Sequence, residues 1–226
     1  MPLDFPFPTV STSGDRAEQL VLQMRDDWQG RGQVPVVIGD AESASRLVDA
    51  WNYTEFSFES ALRATTTMQP MEWFQTRTDE DPEAFGSLFE AQVYPKGAAP
   101  MTHLQVGFDH GGKPRKEVFI AQLPTPDYWA IPLHLRFGAW NACPEPSEHA
   151  MIAKHWEQRY GARIAALTFD TIEFTVERLP SSAEECAALA REHYIYCGDI
   201  VDQGVGSVPT LALALRGSSR WFFWWD

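Results

Sequence analysis

Apolar and polar positions along this chain switch between two periods, and the switches mark its elements. Val34-Pro35-Val36-Val37-Ile38 is a continuous apolar run closed by Gly39-Asp40, the pattern of a buried strand. From Ala41 to Trp51, Leu47, Val48 and Trp51 fall at i, i+1 and i+4, which predicts a helix with one apolar stripe. Asp81-Pro82-Glu83 predicts a helix start, with Asp81 as cap and Pro82 at the first helical position. Asp109-His110-Gly111-Gly112-Lys113-Pro114 is a turn signal. The runs beside it, His103 to Phe108 and Glu117 to Leu123, predict the two strands of a hairpin. Residues 1–123 therefore read as a small α/β region, with a boundary near Pro124-Thr125-Pro126.

Residues 124–226 give a clearer pattern. Tyr128 to Leu135 predicts a strand. Ser147 to Tyr160 predicts a helix capped by Ser147, with His149, Ile152, Trp156 and Tyr160 on one face. Arg163 to Thr168 and Thr171 to Glu177 predict two strands joined at Phe169-Asp170. Ser182-Ala183-Glu184-Glu185 has the capping-box form and opens a helix reaching about Tyr196. Ser207 to Leu215 predicts a further helix, and Arg220 to Trp225 a closing strand. The order β-α-β-β-α-β matches the split β-α-β of a ferredoxin-like sandwich, with helices over one face of an antiparallel sheet. The expected fold class is α+β: a ferredoxin-like C-terminal sandwich with an N-terminal α/β extension.

Charge narrows the choice of partners. The 226 residues carry 31 acidic and 18 basic side chains, a formal net charge of −13. Binding to nucleic acid needs clustered Lys and Arg to displace counterions, and the chain has no such cluster, so neither nucleic acid nor anionic membrane is an expected partner. A basic protein is. No window approaches the roughly 20 apolar residues of a membrane span. The start, Met1-Pro2-Leu3-Asp4-Phe5-Pro6-Phe7-Pro8, lacks the basic and apolar regions of a signal peptide. The expected location is the cytoplasm, where Cys143, Cys186 and Cys197 are reduced thiols.

Candidate chemistry gathers in three ring-rich segments, which hold many of the nine tryptophans. The first contains Trp129, Trp140 and Asn141; the second Asp199, Asp202 and Gln203; the third is Trp221-Phe222-Phe223-Trp224-Trp225-Asp226. Trp129, Trp140, Asn141, Asp199, Asp202 and Gln203 are the expected binding residues. Two carboxylates and an amide in a glycine-bearing loop suit a polar ligand or cation, but they equally suit capping and turn closure. Cys186, Leu189, Ala190, His193 and Cys197 follow i, i+3, i+4, i+7 and i+11 on one helical stripe. His193 and Cys197, one turn apart, could reach one metal ion, with Cys143 as third ligand and Asp199 or water as fourth, a set suited to zinc. The same stripe reads more simply as a core face, in which free cysteine behaves as a small apolar residue. No zinc signature is present, so the expectation is no cofactor, with zinc the alternative. Thiol catalysis would take Cys197 or Cys143 as nucleophile and His193, His149 or His155 as base. Gly107 and Gly111-Gly112 have the wrong spacing for a phosphate loop.

One family resemblance rests on these residues. Tyr128-Trp129-Ala130-Ile131-Pro132, Phe137-Gly138 with Trp140-Asn141 and Cys143-Pro144, and His155-Trp156 with Arg159-Tyr160-Gly161-Ala162 resemble a bacterial domain family of unknown function, DUF family 4253. Tyr196-Cys197, Asp199 to Gly204 and the aromatic end continue the resemblance in order over about the last hundred residues. Gly198 stands where the family pattern has proline. The resemblance implies a shared domain and brings no activity, substrate or cofactor. Two functional expectations remain. The first is a non-enzymatic, acidic, protein-binding domain, of the kind an immunity protein uses against a basic toxin. The alternative is a small-molecule hydrolase with a thiol or zinc centre at Cys143, His193 and Cys197.

Overall fold

In the computed structural model, residues 4–28, 30–53, 55–80, 82, 93 and 99–226 are described. The helix start expected at Asp81-Pro82-Glu83 falls, apart from Pro82, outside them. The frame is one mixed sheet of six strands: β1 (Thr9–Thr12), β2 (Val34–Gly39), β3 (Val118–Leu123), β4 (Arg163–Leu167), β5 (Thr171–Thr175) and β6 (Arg220–Trp224), in the spatial order β1-β3-β2-β4-β5-β6. All neighbours pair antiparallel except β2 and β4, which meet in parallel at Val37 and Ala166. That parallel pair joins the strands of the two halves into one sheet.

Alternation along the strands sorts side chains to two apolar layers. On one face Val37, Val118, Ile120 and Ala165 pack against Ala17, Val21 and Met24 of α1 (Gly14–Trp28), with Leu104 and Val106. On the other, Val36, Ile38, Ile164, Phe174, Trp221 and Phe223 form the larger core. Helices α2 (Ala41–Tyr53), α4 (Pro70–Glu80), α5 (Ile131–Leu135), α6 (Pro146–Tyr160), α7 (Ala183–Tyr196) and α8 (Val208–Leu215) contribute to it, while α3 (Phe58–Thr67) packs beside Ala130, Leu133 and Ala150. Trp156 sits at the centre of this core. It is fully buried and stacks on Phe223 at 5.4 Å, with Phe174, Tyr196 and Trp221 around it. Among the described residues no helix is long and apolar enough to cross a membrane.

Several expected elements form where the sequence placed them: β2, α2, β4, β5, α7, α8 and β6. Three expectations are corrected. Tyr128–Leu135 is not a strand but a 3₁₀ turn, Tyr128–Ala130, running into α5. Pro132 occupies the first turn of α5, where its missing N–H costs nothing, and Ala130, Ile131, Pro132 and Leu133 are buried consecutively rather than alternately. His103–Phe108 is likewise not a strand. Leu104 and Val106 are buried as alternation requires, but the N–H of Leu104 donates to Glu18 (2.8 Å), and those of Gln105 and Val106 to Glu173 (2.6 and 2.7 Å). Two carboxylates thus take the place of a partner strand. The turn itself forms, with Asp109 Oδ1 accepting from Gly111 and Lys113. Third, the ferredoxin-like order does not arise. The expected first strand is helical, β4-β5-β6 lie in sequential order, and helices cover both faces.

Caps differ in detail. Helix α6 begins at Pro146 rather than after Ser147, and Glu148 Oε2 accepts from the Glu145 N–H at 2.7 Å. Ser182 caps α7 as expected, accepting from the Glu185 N–H at 3.1 Å. The Glu185 carboxylate reaches one residue further back, to the N–H and hydroxyl of Ser181. At the start of α1 the chain crosses the 107–115 loop so closely that a Cβ on Gly14 would lie 1.8 Å from the Gly107 carbonyl oxygen. Only glycine permits that approach.

Candidate functional site

The segment between α5 and α6 is held in a conformation that few side chains favour. Arg136, Ala139 and Asn141 have φ of 51°, 72° and 46°, and Gly138 has 115°. Each non-glycine residue in this region costs about 1–3 kcal/mol unless its surroundings hold it there. Those holds are visible. Arg136 donates to the Trp51 carbonyl at 2.8 Å with its guanidinium 3.8 Å from the Trp51 ring. The Ala139 N–H donates to Pro144 and that of Cys143 to Trp140, at 2.9 and 2.8 Å. Asn141 Nδ2 donates to the Asp226 carbonyl at 2.6 Å. A Cβ at Gly138 would lie 2.0 Å from the Pro144 carbonyl and 2.9 Å from His149. Gly138→Ala is therefore expected to destabilise by at least about 2 kcal/mol, from backbone strain and overpacking together. Chemical denaturation of the variant checks this.

This loop seats Cys143 against the first turn of α6. Cys143 Sγ lies 3.3 Å from His149 Nε2, and His149 Nδ1 lies 2.6 Å from the Tyr196 hydroxyl. The connectivity is that of nucleophile, base and orienting group, and Cys143 with His149 is one of the pairings considered from sequence. The environment works against that chemistry. Cys143 and Tyr196 are buried and His149 is completely so. Burial pushes the Cys143 thiol and the Tyr196 hydroxyl well above their usual ranges and lowers His149 to about 3. A neutral thiol, imidazole and phenol in mutual hydrogen bonds satisfy one another's polar atoms inside an aromatic shell of Phe137 and Trp225.

Cys197 lies near enough to Cys143 for their charges to interact, while His193 is engaged elsewhere. The Cys197 thiol donates to the Trp224 carbonyl at 2.9 Å, and burial raises it to about 12. His193 sits among Trp156, Trp221 and Phe223 with ring centroids 4.6–4.9 Å away. Among the described residues no three His, Cys, Asp or Glu side chains are grouped to hold a metal ion. The stripe Cys186, Leu189, Ala190, His193 and Cys197 is buried along its length, the arrangement of a core face.

The expected binding residues separate into a cluster and two outliers. Asn141, Asp199 and Gln203 come together through Asp226: Asp199 Oδ2 accepts from the Asp226 N–H at 3.3 Å, and its Oδ1 accepts from Gln203 Nε2 at 3.0 Å. Asp202 lies close by, accepting from the Tyr194 hydroxyl at 3.3 Å. Its carboxyl is raised, first by burial and further by Asp199. Asp199, Asp202 and Gln203 are carried by, or begin, a π-helical turn, Ile200–Val205, that left-handed Gly206 closes. Such turns recur at functional sites. Trp140 flanks the cluster, its ring 5.0 Å from Phe137. Trp129 stands apart, half-buried beneath Lys154 at 4.9 Å. Tyr196 and Asp226 complete these networks, yet no local spacing marks them, since their contacts to His149 and Asn141 span 47 and 85 residues.

Residues 119–226 match the family described as a domain of unknown function, DUF4253. The C-terminal half of this chain is a DUF4253 domain. The match begins within β3 and takes in the left-handed loop, the Cys143–His149–Tyr196 chain and the carboxylate cluster. No curated protein and no solved structure matches the chain. The DUF4253 domain shares its sheet with β1 and β2, which lie outside the matched residues.

Proposed function

We propose that this is a non-enzymatic binding domain that works in the cytoplasm, where it docks a basic protein surface at the carboxylate cluster. The observation that carries the reading is the state of Asp199, Asp202 and Asp226. Asp199 and Asp202 lie close together, the Asp226 backbone bonds to Asp199, and no Lys or Arg among the described residues pairs with any of the three. Some carboxylates elsewhere are paired, as in Glu18 with Arg220 and Glu192 with Arg159. The raised carboxyl of Asp202, lifted first by burial and further by Asp199, fits the same reading, because an approaching cation would favour its charged form. Half-buried Trp140 and Trp224 at the margin supply the aromatic anchors that binding surfaces favour. The net charge of −13 would speed the encounter. Three free, buried thiols suit a reducing compartment.

The test is capture from lysate on the wild-type chain and on the Asp199→Asn/Asp202→Asn/Asp226→Asn variant, followed by purification of each captured protein. A basic protein that binds the wild type stoichiometrically and at least about tenfold more weakly after substitution, a loss of roughly 1.4 kcal/mol, is the expected result. Equal affinity for both chains, or a strictly acidic partner, would refute the assignment.

A further inference from the structure

Among the described strands β6 ends the sheet, and its outer edge borders a cleft of about 150 Å³. Ile200, Leu211, Phe222 and Trp224 wall it, while His193 and Trp221 lie at its floor, 1% and 2% exposed. Each floor residue carries a ring nitrogen without a hydrogen-bond partner among the described residues: His193 Nε2 and Trp221 Nε1. Buried polar atoms are almost always satisfied, so two orphans on the floor of one apolar cleft mark a place that something else completes.

The chemistry of the lining selects the occupant. An indole N–H can only donate, whereas a neutral imidazole nitrogen donates or accepts according to its tautomer. A hydroxyl group answers both, accepting from Trp221 and exchanging a hydrogen bond with His193. Burial holds His193 neutral, lowering it to about 3, and Arg220 at the rim is occupied by Glu18 at 2.5 Å. Among its described lining residues the cleft therefore presents no unpaired cation to an anion. An apolar cavity of about 150 Å³ accommodates one benzene ring. We propose that this cleft is a binding site for a neutral, single-ring aromatic alcohol, its ring among Leu211, Phe222 and Trp224 and its hydroxyl on His193 Nε2 and Trp221 Nε1. The cleft adjoins the carboxylate cluster through Trp224 and the Ile200–Val205 turn, but its polar groups are His193 and Trp221 rather than carboxylates, so phenol binding and partner binding are read out independently.

Phenol and benzene are the probes, titrated into the full chain with the indole N–H resonances followed by NMR. Phenol should saturate and shift the Trp221 indole resonance, and benzene should bind at least about tenfold more weakly. Trp221→Phe, which keeps the ring and removes the donor, should bring phenol to the benzene level. Leu211→Trp should fill the cleft and abolish both. Failure of phenol to saturate at millimolar concentration would mean that water completes the floor, and would overturn the proposal. Equal affinities for phenol and benzene would overturn it too, as would phenol binding that leaves the Trp221 resonance unmoved. That last readout uses the wild-type chain and holds even if Trp221→Phe fails to fold.

Discussion

Glu173→Ala is expected to lower folding stability by about 3–5 kcal/mol, because it strips the acceptors from two buried backbone donors at about 1–3 kcal/mol each and leaves a void. Glu173 is completely buried on β5 and holds the N–H groups of Gln105 and Val106 at 2.6 and 2.7 Å. Beside it Glu18 holds the N–H of Leu104 and pairs with Arg220. Together they fasten Leu104 and Val106 over the α1 face of the sheet. Glu173→Gln keeps one acceptor oxygen and should lose roughly half as much. Urea denaturation of the three proteins, with unchanged m-values, gives the comparison. A loss below about 1 kcal/mol for the alanine variant would mean that solvent reaches these donors, and that the loop is not clamped as described.

Acid is expected to unfold the protein through His149 and His193 rather than through its salt bridges. Burial lowers both from 6.5 to about 3 in the folded chain. Below the unfolded value the unfolded chain takes up two protons that the folded chain refuses, so stability present above pH 6.5 is lost as pH falls. Glu173 acts in the opposite sense. Burial raises it from 4.5 to about 7, against the two backbone N–H groups that favour its charge. Its contribution is complete below pH 4.5 and is lost as pH rises through 7. Two histidines outweigh one glutamate. Stability should be nearly level above about pH 7 and lower by on the order of 3 kcal/mol at pH 4. In His193→Phe one histidine opposes one glutamate, and the slope between about pH 4.5 and 6.5 should nearly vanish. A wild-type profile flat to pH 4 would contradict the neutral burial of both rings.

Much of the architecture was legible because its elements carry their own signals. Apolar periodicity marked β2, β4, β5 and β6, and Ser182 marked the start of α7. Tyr128–Leu135 misled because its rings and branched residues suit a strand, while Pro132 suits both a strand edge and a helix start. Only the consecutive burial of residues 130–133 decides between them. His103–Phe108 misled differently. Its alternation is real, but its backbone is satisfied by carboxylates 68 and 86 residues away, and no local pattern shows that. The same reason explains the site. Asp199 and Gln203 bond at i and i+4, which sequence can suggest, whereas Asn141 and Cys143 find their partners through the fold. Sequence spacing offered His193 and Cys197 as ligands with Cys143; the chain instead pairs Cys143 with His149, which only the left-handed loop from Arg136 to Asn141 makes possible.

The most direct test of an anionic docking surface is the association rate of the captured partner as a function of ionic strength, for the wild type and Asp202→Asn. The account predicts a rate that falls steeply with added salt, and a shallower fall once Asp202 is neutral, because oppositely charged surfaces steer encounter over a Debye length of about 10 Å at 0.1 M. A rate indifferent to salt, with the same slope for both chains, would contradict it.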